Sequence, residues 1–290
     1  MTDYQNTLDG TRTVSGIGLH TGEQVKMTFS PAPPDSGIQF VIKGSSLSSK
    51  PIKAYYKNVS GTNRGTTLTE NSSSVHTVEH VLAALYANNI DNALVTLSAS
   101  EPPICDGSAI EFVSMIASAG IKKQEVKAKV LTLDKPFIFE EKGKSLKYFP
   151  SDKFEVVFSL AYDDKILPDQ TFSAIITPQK FNSLISRART FGFEHEFDML
   201  KQHNLALGGS LENAVIINRD GTVRNPEGLR FPEELVVHKV LDLIGDFSLL
   251  GMRILGKIEA FKSGHAFNQA FVKQLFEEFA NTNENKGVFL

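Results

Sequence analysis

Apolar and polar positions change their spacing along this chain in a way that separates strands from helices. Residues 24–29 (QVKMTF) alternate polar and apolar, the period of a half-buried strand. Pro31, Pro33, Pro34 and Gly37 then predict a turn before a second strand over 38–42 (IQFVI). From Thr77 the spacing becomes helical, with Val78, Val81, Leu82 and Leu85 recurring at three and four residues until Asn88 and Asn89. A strand is predicted at 93–97, then a helix over 109–119 stopped by Gly120. The charged, uncapped run 121–129 (IKKQEVKAK) reads as a linker, which divides the chain into units of residues 1–122 and 129–290. The second unit predicts strands at 129–133, 137–140 and 154–160 and a helix at 178–186. A strong helix at 235–250, a strand at 253–261 and a last helix at 268–279 follow.

The two units share a local likeness. EHVLAAL (79–85) and VHKVLDL (237–243) each place a histidine near the start of an apolar helix that leads to a strand. This predicts a duplicated α+β unit with both histidines facing one cleft.

Charge and composition narrow the chemistry. Lys+Arg 30 against Asp+Glu 33 leaves a net charge of −3, so no global basic field exists for nucleic acid. Met1–Asp9 is polar, without the basic start and apolar stretch of a signal peptide, and the richest apolar stretch, 235–255, is interrupted by charged residues. A soluble cytoplasmic protein with no integral membrane segment is expected. The single cysteine, Cys105, fits a reducing compartment and excludes a multi-thiolate zinc site. Any transition metal must be held by the seven histidines and the carboxylates.

His238 and Asp242 stand at i and i+4 on one helical face, with Asp246 a turn further on. Such a set is a hydrogen-bonded core histidine, a surface i, i+4 ion pair, or part of a cation site. His80 completes a two-histidine, one-carboxylate set of the catalytic type, which leaves a coordination position open. Glu79 beside it is then either a general base or a helix-first-turn acid favoured by the dipole. His265, in a loop beside Gly264, is a candidate general acid with Asp246 as partner, or else an exposed turn residue. His20 reads as structural, and His76, His195 and His203 have no evident partners. The stretch 206–213 (ALGGSLEN) matches no phosphate loop, so its glycines are expected to permit close packing or a bend. Residues 187–193 (RARTFGF) read as a solvated turn before a strand, with Thr190 a possible donor to an oxyanion.

Taken together, SGIGLHTG (15–22), TVEH (77–80), EPPICDGS (101–108), RARTFGF (187–193), Gly208–Ser210, Leu229–Phe231, HKVLD (238–242) with Asp246, and KSGHAFN (262–268) occur in one order. That order resembles the UDP-3-O-acyl-N-acetylglucosamine deacetylases, zinc hydrolases of lipid A synthesis, over about residues 8 to 280. The resemblance implies an α+β fold of two similar domains, each a β-sheet with helices. The helices pack between the sheets, and a βαβ insert in the second domain, around 194–217, admits the acyl chain. It implies one zinc per chain on His80, His238 and Asp242, although iron suits the same ligands. Glu79 matches the general base, His265 the acid with Asp246 as partner, and Thr190 the hydroxyl that polarises the carbonyl. Lys239, grouped with the catalytic residues, and Lys262 match basic residues near the sugar and diphosphate. Phe191 matches a hexosamine contact. Phe197, Ala206, Gly209 and Leu211 fall in the acyl passage. The uridine contact is matched most nearly by Tyr162, preceded by Ala161, with Asp163 one position late. The implied partner is a UDP-linked acylated amino sugar, and a monomer is expected. The rival readings are a non-catalytic binding protein for the same ligand and a zinc hydrolase of another amide.

Overall fold

The computed structural model describes residues 3–43, 50–163 and 166–285, with side chains to residue 282, so both expected units extend beyond what is described. The first half contains β1 (Tyr4–Leu8), β2 (Arg12–Ile17), β3 (Gln24–Pro31), β4 (Ile38–Ile42), β5 (Ile52–Lys53), β6 (Val59–Gly61), β7 (Thr67–Glu70) and β8 (Ser73–Val75). Then come α1 (Glu79–Ala87), β9 (Ala93–Leu97), α2 (Ile110–Ala119) and β10 (Ile121–Lys127). The second half runs β11 (Val130–Leu131), β12 (Phe137–Glu141), β13 (Lys144–Phe149), β14 (Phe154–Leu160), β15 (Gln170–Ile175), α3 (Pro178–Ser183), β16 (Phe191–Phe193) and α4 (Phe197–Gln202). It ends with β17 (Val215–Ile217), α5 (Glu234–Ser248), β18 (Arg253–Ile254), β19 (Gly256–Phe261) and α6 (His265–Asn285).

Two five-stranded sheets carry the fold, ordered β2-β3-β9-β4-β5 and β12-β13-β19-β14-β15. In the first, only β9 and β4 are parallel. In the second, only β19 and β14 are parallel. Each central strand comes after a helix bearing a candidate histidine, His80 on α1 or His238 on α5, and a further helix follows it. Two sheets of one order, assembled in one chain sequence, are what a duplicated α+β unit gives.

The helices lie between the sheets. Phe112 of α2 packs near Phe29 of β3, while Phe267 and Phe271 of α6 pack on Phe139 and Phe137 of β12. Nearly every residue of α1 and of α5 is buried, as expected of helices enclosed on all sides. They cross in backbone contact. A Cβ on Gly245 would stand 2.1 Å from the carbonyl oxygen of Glu79, so only glycine lets the two helix backbones approach this closely.

Several expectations change. The run 121–127 is a strand, antiparallel to β1, rather than a linker. Its lysines and its mostly exposed pattern are those of a charged edge-type strand, which periodicity does not separate from a loop. The strand expected at 129–133 is only β11, and that expected at 253–261 is divided into β18 and β19. The last helix starts at His265, so this histidine opens α6 instead of lying in a loop. The βαβ insert is present, its parallel strands β16 and β17 flanking α4, and it starts at Phe191. Among the described residues no helix is long and apolar enough to cross a membrane.

Candidate active site

A cavity of about 440 Å³ opens where α1 and α5 meet, lined by Glu79, His80, Thr190, Phe191, His238, Lys239, Asp242 and His265 among others. A larger cavity, about 650 Å³, lies elsewhere around Tyr55, Met252 and Phe276 and contains none of these groups.

His80 follows the first residue of α1, and His238 and Asp242 lie one turn apart on α5. Crossing at Gly245 brings the three together, with donor atoms all within 4.8 Å of one another. His80 Nε2 is 3.6 Å and His238 Nε2 3.3 Å from Asp242 Oδ1. The His238 Nδ1–H donates to the Ala188 carbonyl at 3.1 Å, which fixes the tautomer and leaves Nε2 a lone pair. Burial pushes the His238 pKa down to about 3, so the ring is neutral. Burial opposes the Asp242 charge, but Lys239, whose Nζ donates to Oδ2 at 2.7 Å, and a hydrogen bond from His80 hold its carboxyl well below the usual range. Two imidazoles and a carboxylate, all buried, are a donor set suited to a divalent metal ion.

Glu79 begins α1 and is buried; its Oε2 accepts the Thr66 N–H at 2.9 Å. Burial raises its pKa, against the opposing pull of His265 and His80. His265 Nε2 stands 3.8 Å from Glu79 Oε1 and 3.9 Å from Asp242 Oδ2. Its Nδ1–H donates to Asp246 Oδ2 at 2.9 Å. Burial disfavours the imidazolium, yet the Asp246 and Glu79 carboxylates outweigh it and lift the pKa to about 10.

Thr190 is held by its own backbone, donating to the Gly107 carbonyl and accepting from Val215 N, so its side chain meets the cavity wall. Lys239 Nζ lies 5.2 Å from the centre of the Phe191 ring. Other expected contacts fall outside this cavity lining. Lys262 is ion-paired with Asp163, and Tyr162 packs edge-on against Phe193. Phe197 opens α4, and the turn 206–211 docks on the loop after β2. There the Gly208 N–H donates to the Leu19 carbonyl, and a Cβ on Gly208 would come within 2.2 Å of the Gly18 oxygen. The glycine pair therefore serves close packing, as its sequence suggests. His20 is structural: its Nδ1 accepts from Ala206 N and its Nε2–H donates to the Arg64 carbonyl.

The family model for UDP-3-O-acyl N-acetylglycosamine deacetylase matches residues 5–277. This chain belongs to that family. A relative named UDP-3-O-acyl-N-acetylglucosamine deacetylase from Syntrophotalea carbinolica is 43% identical, covering 94% of this chain and 87% of its own length. Relatives of the same name from Pseudomonas entomophila, at 43% identity, and Neisseria meningitidis serogroup A, at 40%, each cover 94% of this chain and 90% of their own.

Sequence reasoning missed the residues that hold this group of side chains in place. Arg189 is not part of a solvated turn; it is 2% exposed. Its Nε and Nη2 grip the two oxygens of the buried Glu234 at 2.8 and 3.1 Å, and Nη1 meets Glu227 at 2.5 Å. This pair ties the Ala188–Thr190 segment to the start of α5, and so aims the Ala188 carbonyl at His238. Glu101, fully buried, accepts from His20 N, Thr21 and Thr77 Oγ1, bracing the loop that leads into Glu79. Arg189 and Glu101 stand in the motifs quoted above, but the charge of each ordinarily means exposure.

Proposed function

We propose that this chain hydrolyses the acetamide of a UDP-linked, 3-O-acylated N-acetylglucosamine, giving the free amine and acetate, with zinc on His80, His238 and Asp242. The observation that carries the reading is the convergence of that donor set with Glu79 and with the Asp246–His265 pair in one cavity. Family membership and the names of the relatives support the substrate class. Two imidazoles and one carboxylate suit zinc, and ferrous iron second.

An ion held there supplies Lewis acidity, polarising a carbonyl oxygen and lowering the pKa of a water to about 7. Glu79, its basicity increased by burial, takes a proton from the attacking water through Oε1. Thr190 donates its hydroxyl to the oxyanion that develops on the acetyl carbonyl. His265, kept protonated by Asp246, gives its Nε2 proton to the departing nitrogen as the C–N bond breaks. Lys239 places a cation between Asp242 and the Phe191 ring, where a hexosamine would stack.

The insert carrying Phe197, Ala206, Gly209 and Leu211 would receive the acyl chain, and its Met199, Leu207 and Leu211 leave apolar surface exposed. Lys262 and Tyr162 serve the nucleotide end, with the Lys262–Asp163 pair opening to admit diphosphate. The two sheets with their helices are read as two domains that share the site, in a cytoplasmic monomer.

The test couples elemental analysis to acetate release. One zinc per chain is expected, together with turnover of the acylated substrate and a much lower kcat/KM without its acyl chain. Equal rates on both substrates would remove the acyl passage, and no acetate from zinc-loaded protein would remove the deacetylase reading. A pH profile tests the acid. The raised pKa of His265 keeps it protonated through neutrality, so its deprotonation should form the basic limb of a bell-shaped profile whose acid limb comes from protonation of Glu79. Asp246→Asn removes the partner that raises it, and the basic limb of kcat/KM should move to lower pH. A limb that stays in place would show that Asp246 does not set the acid.

A further inference from the structure

One buried hydroxyl lies between the two groups that move protons. Arg64, with φ of 62°, and Gly65 turn the chain so that Thr66 enters between the start of α1 and the face of α5. Thr66 is fully buried. Its backbone N–H donates to Glu79 Oε2 at 2.9 Å. Its hydroxyl donates to Asp246 Oδ1 at 2.6 Å and stands 3.4 Å from His265 Nδ1.

We propose that Thr66 is a positioning residue that fixes the base Glu79 and the acid His265 relative to each other. The inference rests on the roles given to those residues above. Each half follows from the hydrogen bonds. A glutamate with both oxygens free would sample several rotamers. The Thr66 N–H claims Oε2, which leaves Oε1 as the oxygen nearest His265. Gly65 leaves that oxygen its room, because a Cβ there would lie 3.0 Å from Oε1 and 3.4 Å from Thr77 Oγ1.

On the acid side, Asp246 accepts from Thr66 and Gln269 on Oδ1, and from His265 and Asn268 on Oδ2. The Thr66 hydroxyl makes the shortest of these bonds. It sets the plane of the carboxylate, and that plane decides where the imidazole points. A single side chain and its own amide thus register the proton acceptor against the proton donor, which positioning in catalysis demands to within a fraction of an ångström.

Thr66→Val keeps the shape and the backbone N–H but removes the hydroxyl. Loss of a buried hydrogen bond to a charged group should lower kcat by about tenfold to a hundredfold. KM and bound zinc should stay near those of the parent, with Tm lower by only a few degrees. Thr66→Ser returns the hydroxyl and should recover kcat to within about threefold. In the zinc-loaded enzyme, the low-field proton resonance of the His265 Nδ1–H should be present for the parent and Thr66→Ser, and displaced for Thr66→Val. Gly65→Ala tests the base side independently of any folding defect in the valine variant, since it crowds Oε1 without touching Asp246. It should lower kcat while leaving the His265 resonance in place.

Full activity in Thr66→Val, or an equal loss in Thr66→Val and Thr66→Ser, would overturn the proposal, the latter by reducing Thr66 to a packing role. Failure of the catalytic assignment is distinguishable, because Glu79→Gln and His265→Ala would then retain turnover as well.

Discussion

Glu79→Ala is expected to lower kcat by on the order of 10²- to 10⁴-fold while the protein keeps its metal. The expectation has a simple basis. Besides Asp242, Glu79 is the only carboxylate among the described residues of the cavity lining, and its Oε1 lies beside His265. Removing it deletes the acceptor for a proton of the attacking water. It also strands the buried Thr66 N–H, which by itself costs about 1–3 kcal/mol. Glu79→Gln separates the two effects, because its amide oxygen still accepts from Thr66 but no longer acts as a base. Both variants should lose activity to a similar extent, with only the alanine variant showing a lower Tm. Steady-state kinetics with zinc analysis on the same samples decides the matter, and turnover near that of the parent in the glutamine variant would remove the base from Glu79.

Arg189→Ala should be the most damaging substitution for stability among those considered. Glu234 is wholly buried, and its carboxylate is gripped by the Arg189 guanidinium through two parallel hydrogen bonds. Leaving such a carboxylate without its cation costs about 3–5 kcal/mol. Glu227, half exposed, can return to water and contributes little to that loss. The damage should also reach the donor set. Arg189 holds the segment whose Ala188 carbonyl accepts from His238 Nδ1, and loss of an outer partner of this kind typically weakens metal binding by about 10- to 100-fold. Arg189→Lys should not rescue, because an ammonium cannot reproduce the planar two-point contact. Denaturant unfolding and a zinc-competition titration measure the two effects. Unchanged zinc affinity in a folded Arg189→Ala protein would show that the Ala188 carbonyl does not depend on this pair.

Periodic segments were the most legible part of the sequence. The strands 38–42, 93–97 and 154–160 form over those residues, and the helices around His80 and His238 lie where the three-and-four spacing puts them. Burial on a repeating face produces that spacing, so the pattern survives any particular tertiary arrangement. Short strands such as β5 to β8 left no signal, being two to four residues long. The charged strand β10 was misread because its stability comes from pairing with β1, more than 100 residues away, rather than from a buried face of its own.

The metal-ligand candidates were legible for a chemical reason: histidine and aspartate at helical spacing inside an apolar segment demand a partner for buried polar groups. The supports were not. Arg189, Glu234 and Glu101 are charged residues that read as surface, and their burial is explained only by partners distant in sequence. Thr66 and Gly245 carry even less signal, since one is a small hydroxyl residue and the other a mid-helix glycine.

The sequence by itself determined the longer elements, the twofold recurrence of a histidine-bearing helix before a strand, the family resemblance and the candidates for the reacting groups. All of these are written in local spacing and residue chemistry. Tertiary structure alone decided that α1 and α5 cross at Gly245 closely enough to bring His80 within reach of Asp242, and that His265 heads a helix against Asp246. It alone turned a buried arginine and a buried threonine into the frame of the site. Those are distances between residues far apart along the chain, and they follow from how two sheets and their helices close on one another.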